Sequence, residues 1–228
     1  MNQEPISKRA MKKRVDTKRQ AIYSLRDNIE RLKRQVRKDL HSANEKDKLT
    51  ALVIRIMIYT SERVGNETSA SNGHFGITQF KNKHVSVAGN KVSLDYIGKS
   101  GVEHEKCFTD ETCAKILKVL LKRGNRFLFT TAEGFRINPD RVNRYLHRFD
   151  AKSKDIRGFN ANRFMIMELN RVGKVKEEKQ RPKIFNASLR KVGKKIGHGA
   201  ATLRKHYLLP EIEENFYTHG SVGRIKID

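Results

Sequence analysis

Cysteine is nearly absent: the 228 residues hold two, Cys107 and Cys113, with neither a C-x-x-C pair nor a clustered set of histidines. That leaves zinc no ligand set, and both thiols are expected to be reduced, structural side chains. Long apolar runs are missing as well. None approaches the ~18 residues of a spanning helix, and no signal-peptide pattern opens the chain, so a soluble intracellular protein without a membrane role is expected. No internal repeat is evident. Acidic residues are few beside basic ones, 25 Asp and Glu against 49 Lys and Arg, for a formal charge of +24. An imbalance of that size exceeds what solubility asks for and points to a polyanionic partner, of which nucleic acid fits this chain better than an anionic membrane.

What is present is enough for one large domain or a domain with a small companion, with 37% hydrophobic residues gathered in regular clusters. Residues 1–19 carry Lys8, Arg9, Lys12, Lys13, Arg14, Lys18 and Arg19 and read as a flexible basic arm, with a catalytic domain expected over 20–228. Ile22, Leu25, Ile29, Leu32, Val36 and Leu40 step by three or four and predict a helix with one buried stripe. Leu49, Leu52, Val53, Ile56 and Met57 predict a second over 46–62. The middle changes period. Segments 76–80, 84–87, 91–97 and 104–108 read as short strands of a small antiparallel sheet, turning at Ala88-Gly89-Asn90 and at Lys99-Ser100-Gly101. Helical spacing returns after Asp110, a candidate N-cap, then after Asn138-Pro139, over 153–169, near 186–196 and over 210–217, with an exposed basic loop at 171–183. The fold class is therefore mainly α with a small antiparallel β-sheet.

Breaking a phosphodiester without a metal demands a nucleophile, charge stabilisers for the phosphoryl oxygens and an acid for the departing oxygen. Tyr, Arg, His and Lys can supply all of these, and guanidinium matches phosphate geometry with a permanent charge. Four clusters place such groups where elements end: Glu62-Arg63-Val64-Gly65-Asn66-Glu67, Ile97-Gly98-Lys99-Ser100-Gly101, Lys154-Asp155-Ile156-Arg157, and Gly197-His198 through Lys205-His206-Tyr207. Each member also has a plain alternative. Arg63 serves equally as a helix C-terminal cation, Lys99 as a solvated turn residue and Arg157 as a structural ion-pair partner. His198 serves as a helix cap and Tyr207 as a packing residue.

Taken in chain order, Arg63-Val64-Gly65-Asn66-Glu67, Gly76-Ile77-Thr78 leading to Lys83-His84-Val85, Gly98-Lys99, Lys154-Asp155-Ile156-Arg157, and Gly197-His198 with Tyr207 nine residues on and Pro210 after it resemble the type IB DNA topoisomerases of poxviral and bacterial kind. The resemblance runs from about Tyr59 to Tyr217. It implies ATP-independent relaxation of supercoiled DNA, of either sign, through a transient nick and a 3′-phosphotyrosyl link. By it, Arg63 and Arg157 clasp the nonbridging oxygens and His198 donates to one of them. Lys99 is the general acid for the 5′-oxygen, and Tyr207 is the nucleophile. It implies double-stranded DNA as partner, action as a monomer on DNA, and neither a cofactor nor an obligatory metal.

Lys81, Lys83, Arg141, Arg144, Lys154 and Lys205 flank these residues as candidate phosphate contacts, with a solvated face as the alternative for each. The basic stretch from Arg171 to Lys195 is expected to lie along DNA. His84 and His104 are expected to be structural. The family's N-terminal β-rich clamp has no room before Ile22, so it is expected to be absent, vestigial or supplied by another chain. Two rival readings stand beside this one. A tyrosine recombinase shares the Arg, Lys, Arg, His and Tyr set, but recombinases generally carry a His two or three residues before the second Arg, where this chain has Lys154 and Asp155. A non-catalytic basic DNA-binding protein would use the charge and not the site.

Overall fold

A stripe of Ile22, Leu25, Ile29, Leu32 and Val36, spaced for one face of a helix, is buried along α1 (Lys8–Asp39), with Leu40 just beyond its end. The computed structural model describes residues 8–223 together with Ile225 and Ile227. Residues 8–19, expected as a flexible arm, form the first turns of α1, and residues 1–7 of that arm lie outside the described residues. From Lys18 onward the helix is tied to the C-terminal part of the chain. The Arg19 guanidinium donates twice to the Glu211 carboxylate at 3.1 Å, the Tyr23 hydroxyl donates to it at 3.1 Å, and the Lys18 ammonium donates to the Leu208 carbonyl.

The span expected as one domain divides into two compact units, one of Asn28–Arg157 and one of the described residues up to Asp27 and from Gly158 onward. The first unit is built on α2 (Glu45–Thr60), whose N-cap Asn44 accepts from the amides of Lys46 and Asp47. Nearly all its apolar residues are buried, from Leu49 to Met57. A short α3 (Glu67–Ser71) follows, then three antiparallel strands in the order β1 (Val85–Ala88), β2 (Lys91–Ile97) and β3 (Glu103–Thr109). Gly89, at φ +59°, makes the β1–β2 turn where the sequence placed it. Val92, Leu94 and Tyr96 alternate inward, and Tyr96 stands opposite His104 across the β2–β3 ladder. Helix α4 (Glu111–Arg123) is capped by Asp110, which accepts from the Cys113 amide at 2.8 Å, and α5 (Pro139–His147) by Asn138. Cys113 is buried and Cys107 lies on an exposed position of β3.

The strand expected over 76–80 is instead a single 3-10 turn at Ile77–Gln79. Its backbone docks on the run after α2, the Ile77 amide donating to the Arg63 carbonyl at 2.9 Å and the Thr78 amide to that of Val64 at 3.1 Å. This approach needs two glycines face to face, for a Cβ on Gly76 would sit 2.3 Å from the Gly65 Cα. Strand pairing gives way to that contact.

In the second unit, α6 (Ser153–Val172), which begins in the first unit, is followed by α7 (Arg181–Ile196), α8 (Ala200–His206) and α9 (Pro210–His219). The loop expected to run to residue 183 is shorter because α7 starts at Arg181. Arg181 is a correction to the basic stretch expected along DNA: it is buried and donates to the carbonyls of Val175, Lys176, Tyr217 and Thr218 at 2.9–3.2 Å. The other Lys and Arg of that stretch are exposed. No helix among the described residues is long and apolar enough to cross a membrane.

Candidate active site

Helix α2 ends on Ser61, whose left-handed backbone (φ +59°) turns the chain out into the extended run that carries Arg63. That run is held by the two docking bonds of residues 77–78 and ends at Asn66, the N-cap of α3, which accepts from the Ser69 amide at 2.7 Å. Arg157, in the second turn of α6, is 3% exposed and donates through Nη1 to the Ser61 carbonyl. Next to Arg63 in the chain, Glu62 is fully buried and paired with the Lys106 ammonium at 2.9 Å. Burial pushes the Glu62 carboxyl up from the usual carboxylate range, against the pull of Lys106, Arg157 and Arg63. Burial likewise draws the Lys106 ammonium down, against Glu62. Arg63 and Arg157 thus act on one buried carboxylate in the same unit.

Lys99 stands exposed at the tip between β2 and β3. The tip is a tight structure. The Gly98 amide donates to the Val102 carbonyl at 2.7 Å, Ser100 takes a left-handed backbone at φ +65°, and the Phe75 amide donates to the Ile97 carbonyl at 2.8 Å. Both histidines of this region, His84 and His104, are buried. Burial holds His84 down to about 4, and its Nδ1 accepts from the Lys81 amide at 3.1 Å. His104 is likewise held to about 4, by burial and then by Lys106, Arg157 and Arg63.

The other unit carries His198 and Tyr207. Helix α7 stops at Gly197, in the left-handed region at φ +72°, and the His198 amide turns back to the Gly193 carbonyl at 2.8 Å. Tyr207 caps the C-terminus of α8, its amide donating to the Leu203 carbonyl at 3.0 Å. The side chains meet: His198 Nε2 lies 3.2 Å from the Tyr207 hydroxyl, with ring centroids 4.9 Å apart. In a neutral ring Nε2 can accept the phenolic proton or donate to the phenolic oxygen, according to tautomer. Asn162 of α6, 0% exposed, pins the backbone from the tyrosine's own carbonyl to the residue two further on. Its Nδ2 donates to the Tyr207 carbonyl at 2.8 Å and its Oδ1 accepts from the Leu209 amide at 2.8 Å. Sequence reading missed Asn162. A polar residue fully inside a helix face that is otherwise apolar was the available signal.

The candidate phosphate contacts are placed unevenly. Lys83, Arg144, Lys154 and Lys205 are exposed, while Lys81 is half-buried with its ammonium over the Phe75 ring. Arg144 and Lys154 line an open hollow of about 490 Å³ together with His147 and Lys152. Arg141 is engaged within the protein, donating to Asp47 at 2.7 Å and to the Thr50 hydroxyl at 2.9 Å, which ties α5 to α2.

The XerH site-specific recombinase bound to its difH substrate shares the fold at a TM-score of 0.50 and 17% identity, over 79% of this chain and 48% of that one. The DNA topoisomerase 1B of Acanthamoeba polyphaga mimivirus is 25% identical over 204 residues, 82% of this chain and 61% of that protein. The DNA topoisomerase 1B of vaccinia virus (strain Copenhagen) is 22% identical over 149 residues, 63% of this chain and 45% of that protein. The chain thus spans roughly half to three-fifths of the length of these relatives. A family model for the catalytic core of eukaryotic DNA topoisomerase I matches residues 8–214. Spanning nearly the whole chain, that match makes the protein a member of the DNA topoisomerase I catalytic-core family.

Proposed function

We propose that the protein is a type IB DNA topoisomerase that nicks one strand of double-stranded DNA, holds the 3′ end on Tyr207, lets the duplex relax and reseals it. The observation that carries this reading is the phenol of Tyr207 in contact with His198 Nε2 at 3.2 Å, on a backbone pinned by Asn162, in a chain of this family. In the forward step the Tyr207 oxygen forms a bond to phosphorus, and the bond from phosphorus to the 5′-oxygen breaks. The 5′-oxygen takes a proton from the Lys99 ammonium, and the phenolic proton leaves with a neutral His198 as an available acceptor. Arg63 and Arg157 stabilise the charge that builds on the nonbridging oxygens, and His198 then donates to one of them. The phosphotyrosyl ester conserves the energy of the broken bond, so resealing needs no nucleotide.

Exposed Lys83, Arg144, Lys154 and Lys205 and the exposed basic residues of α7 beyond Arg181 contact phosphates without reading bases, which makes affinity fall steeply with salt. The protein acts as a monomer on DNA inside the cell.

The test is a supercoiled plasmid incubated with the protein and EDTA, quenched with detergent and run on a gel. The wild-type protein is expected to yield relaxed topoisomers and protein-linked nicks. Tyr207→Phe is expected to lose both while retaining DNA binding. A fully active Tyr207→Phe protein refutes the proposal, and exchange between paired target sites without relaxation favours the recombinase reading.

A further inference from the structure

A buried polar row joins the Arg63 segment to the Lys99 tip. At one end is Glu62, next to Arg63 in the chain, with one carboxylate oxygen on the Lys106 ammonium and the other accepting from the Tyr96 hydroxyl. Lys106 also donates to the Thr60 carbonyl at 2.8 Å, which fastens the same segment from its other side. The Tyr96 ring stacks on His104, centroids 4.9 Å apart and planes within 15°. His104 in turn lies against Gly98, where an added Cβ would stand 2.5 Å from two atoms of the imidazole. Gly98 is the residue before Lys99.

Burying a carboxylate and an ammonium is no gain in stability over a well-packed apolar set of the same volume, because desolvation offsets the attraction. The pair therefore calls for another role, and its place between two functional segments supplies one. His104, held neutral by burial, serves here as a flat uncharged spacer and not as an acid or base.

We propose that Tyr96 and His104 are positioning residues that hold the Lys99 tip and the Arg63 segment in one frame, through the Glu62 carboxylate at one end and Gly98 at the other. The proposal rests on the nicking reaction described above and adds a second layer of side chains to it. A hydroxyl on Tyr96 fixes the Glu62 side chain, and with it the departure of the chain into Arg63. The imidazole of His104 sets the height of Gly98, and with it the Lys99 ammonium.

Single-turnover cleavage tests this on two strands, one normal and one with sulfur in place of the 5′-bridging oxygen. Sulfur departs without protonation, so a defect in delivering the proton vanishes on that strand. His104→Ala is expected to slow cleavage of the normal strand roughly tenfold or more and to be largely rescued by sulfur, as Lys99→Ala should be. Tyr96→Phe is expected to slow cleavage in the wild-type background but to add nothing to Arg63→Ala. Equal defects of His104→Ala on both strands, or additive losses for Tyr96→Phe and Arg63→Ala, overturn the proposal. His104→Gln replaces His104→Ala should circular dichroism show the latter unfolded. If the wild-type protein forms no adduct, the nicking reaction fails, and amide exchange still decides the positioning role. Faster exchange of the Gly98 amide in His104→Ala and of the Ile77 amide in Tyr96→Phe supports it, and unchanged exchange at both overturns it.

Discussion

Around the sheet, a buried pair of charged side chains, Glu62 and Lys106, with the Tyr96 hydroxyl on Glu62, lies at the root of the segment that carries Arg63, whereas around α7 to α9 His198 and Tyr207 are held by uncharged bonds to their main chain. The difference follows from what each group must do. A guanidinium that stabilises phosphate keeps a permanent charge and needs only a fixed address, which neighbouring charges can give it. A phenol that attacks, the role proposed for Tyr207, must be presented at one distance and angle, and the Asn162 bonds at Tyr207 and Leu209 hold the backbone that carries it with no charge to repel a phosphate. The first region should therefore answer to changes of charge and pH, the second to loss of hydrogen bonds.

The largest effect sharpens the charge side. Arg157→Ala removes the proposed phosphate stabiliser and leaves the Ser61 carbonyl without this donor, and cleavage should slow by a factor worth about 3 kcal/mol or more in single turnover. Arg157→Lys restores the charge without the fork and should recover only part of it. Full recovery would mean that charge alone matters there.

A second test uses acid. Burial holds His84 and His104 near 4, well below the ordinary 6.5, so between those values the unfolded chain binds protons that the folded chain does not. Stability is complete above about pH 6.5 and drains away as pH falls toward about 4, by roughly 3 kcal/mol at most for each histidine. Urea unfolding at pH 7 and pH 5 reads this. Replacing both histidines with Gln should flatten the dependence, and an unchanged slope would break the comparison.

The smallest effect probes the other region. Asn162→Ala strands the Leu209 amide in the interior and should cost about 1–3 kcal/mol in urea unfolding. Cleavage should slow beyond what the folded fraction explains, with salt-dependent DNA binding unchanged. A variant as fast as wild type would show that Tyr207 needs no such clamp.

Much of this architecture is readable from spacing and caps. The stripe from Ile22 to Leu40, the caps Asp110 and Asn138 and the bounds of β2 all stand where local rules put them, because each is decided by neighbours within a turn or two. The five candidate residues are proposed from a chain-order pattern, of which the contact between His198 and Tyr207 is seen. What escaped is decided at long range. Lys106 reads as an exposed strand lysine until Glu62, 44 positions away, makes its burial tolerable. Arg181 reads as one more cation in a basic loop, yet four carbonyls gathered from two stretches of chain surround it. Segment 76–80 has the composition of a strand and loses that form to the approach of Gly65.

That approach has a consequence for how the protein can vary. Gly65 and Gly76 share a single gap too narrow for even one methyl group, so no change at either position can compensate for a change at the other. Two partners that trade volume can drift together over generations, but two that each own none cannot. The loop that follows Arg63 is held at both glycines.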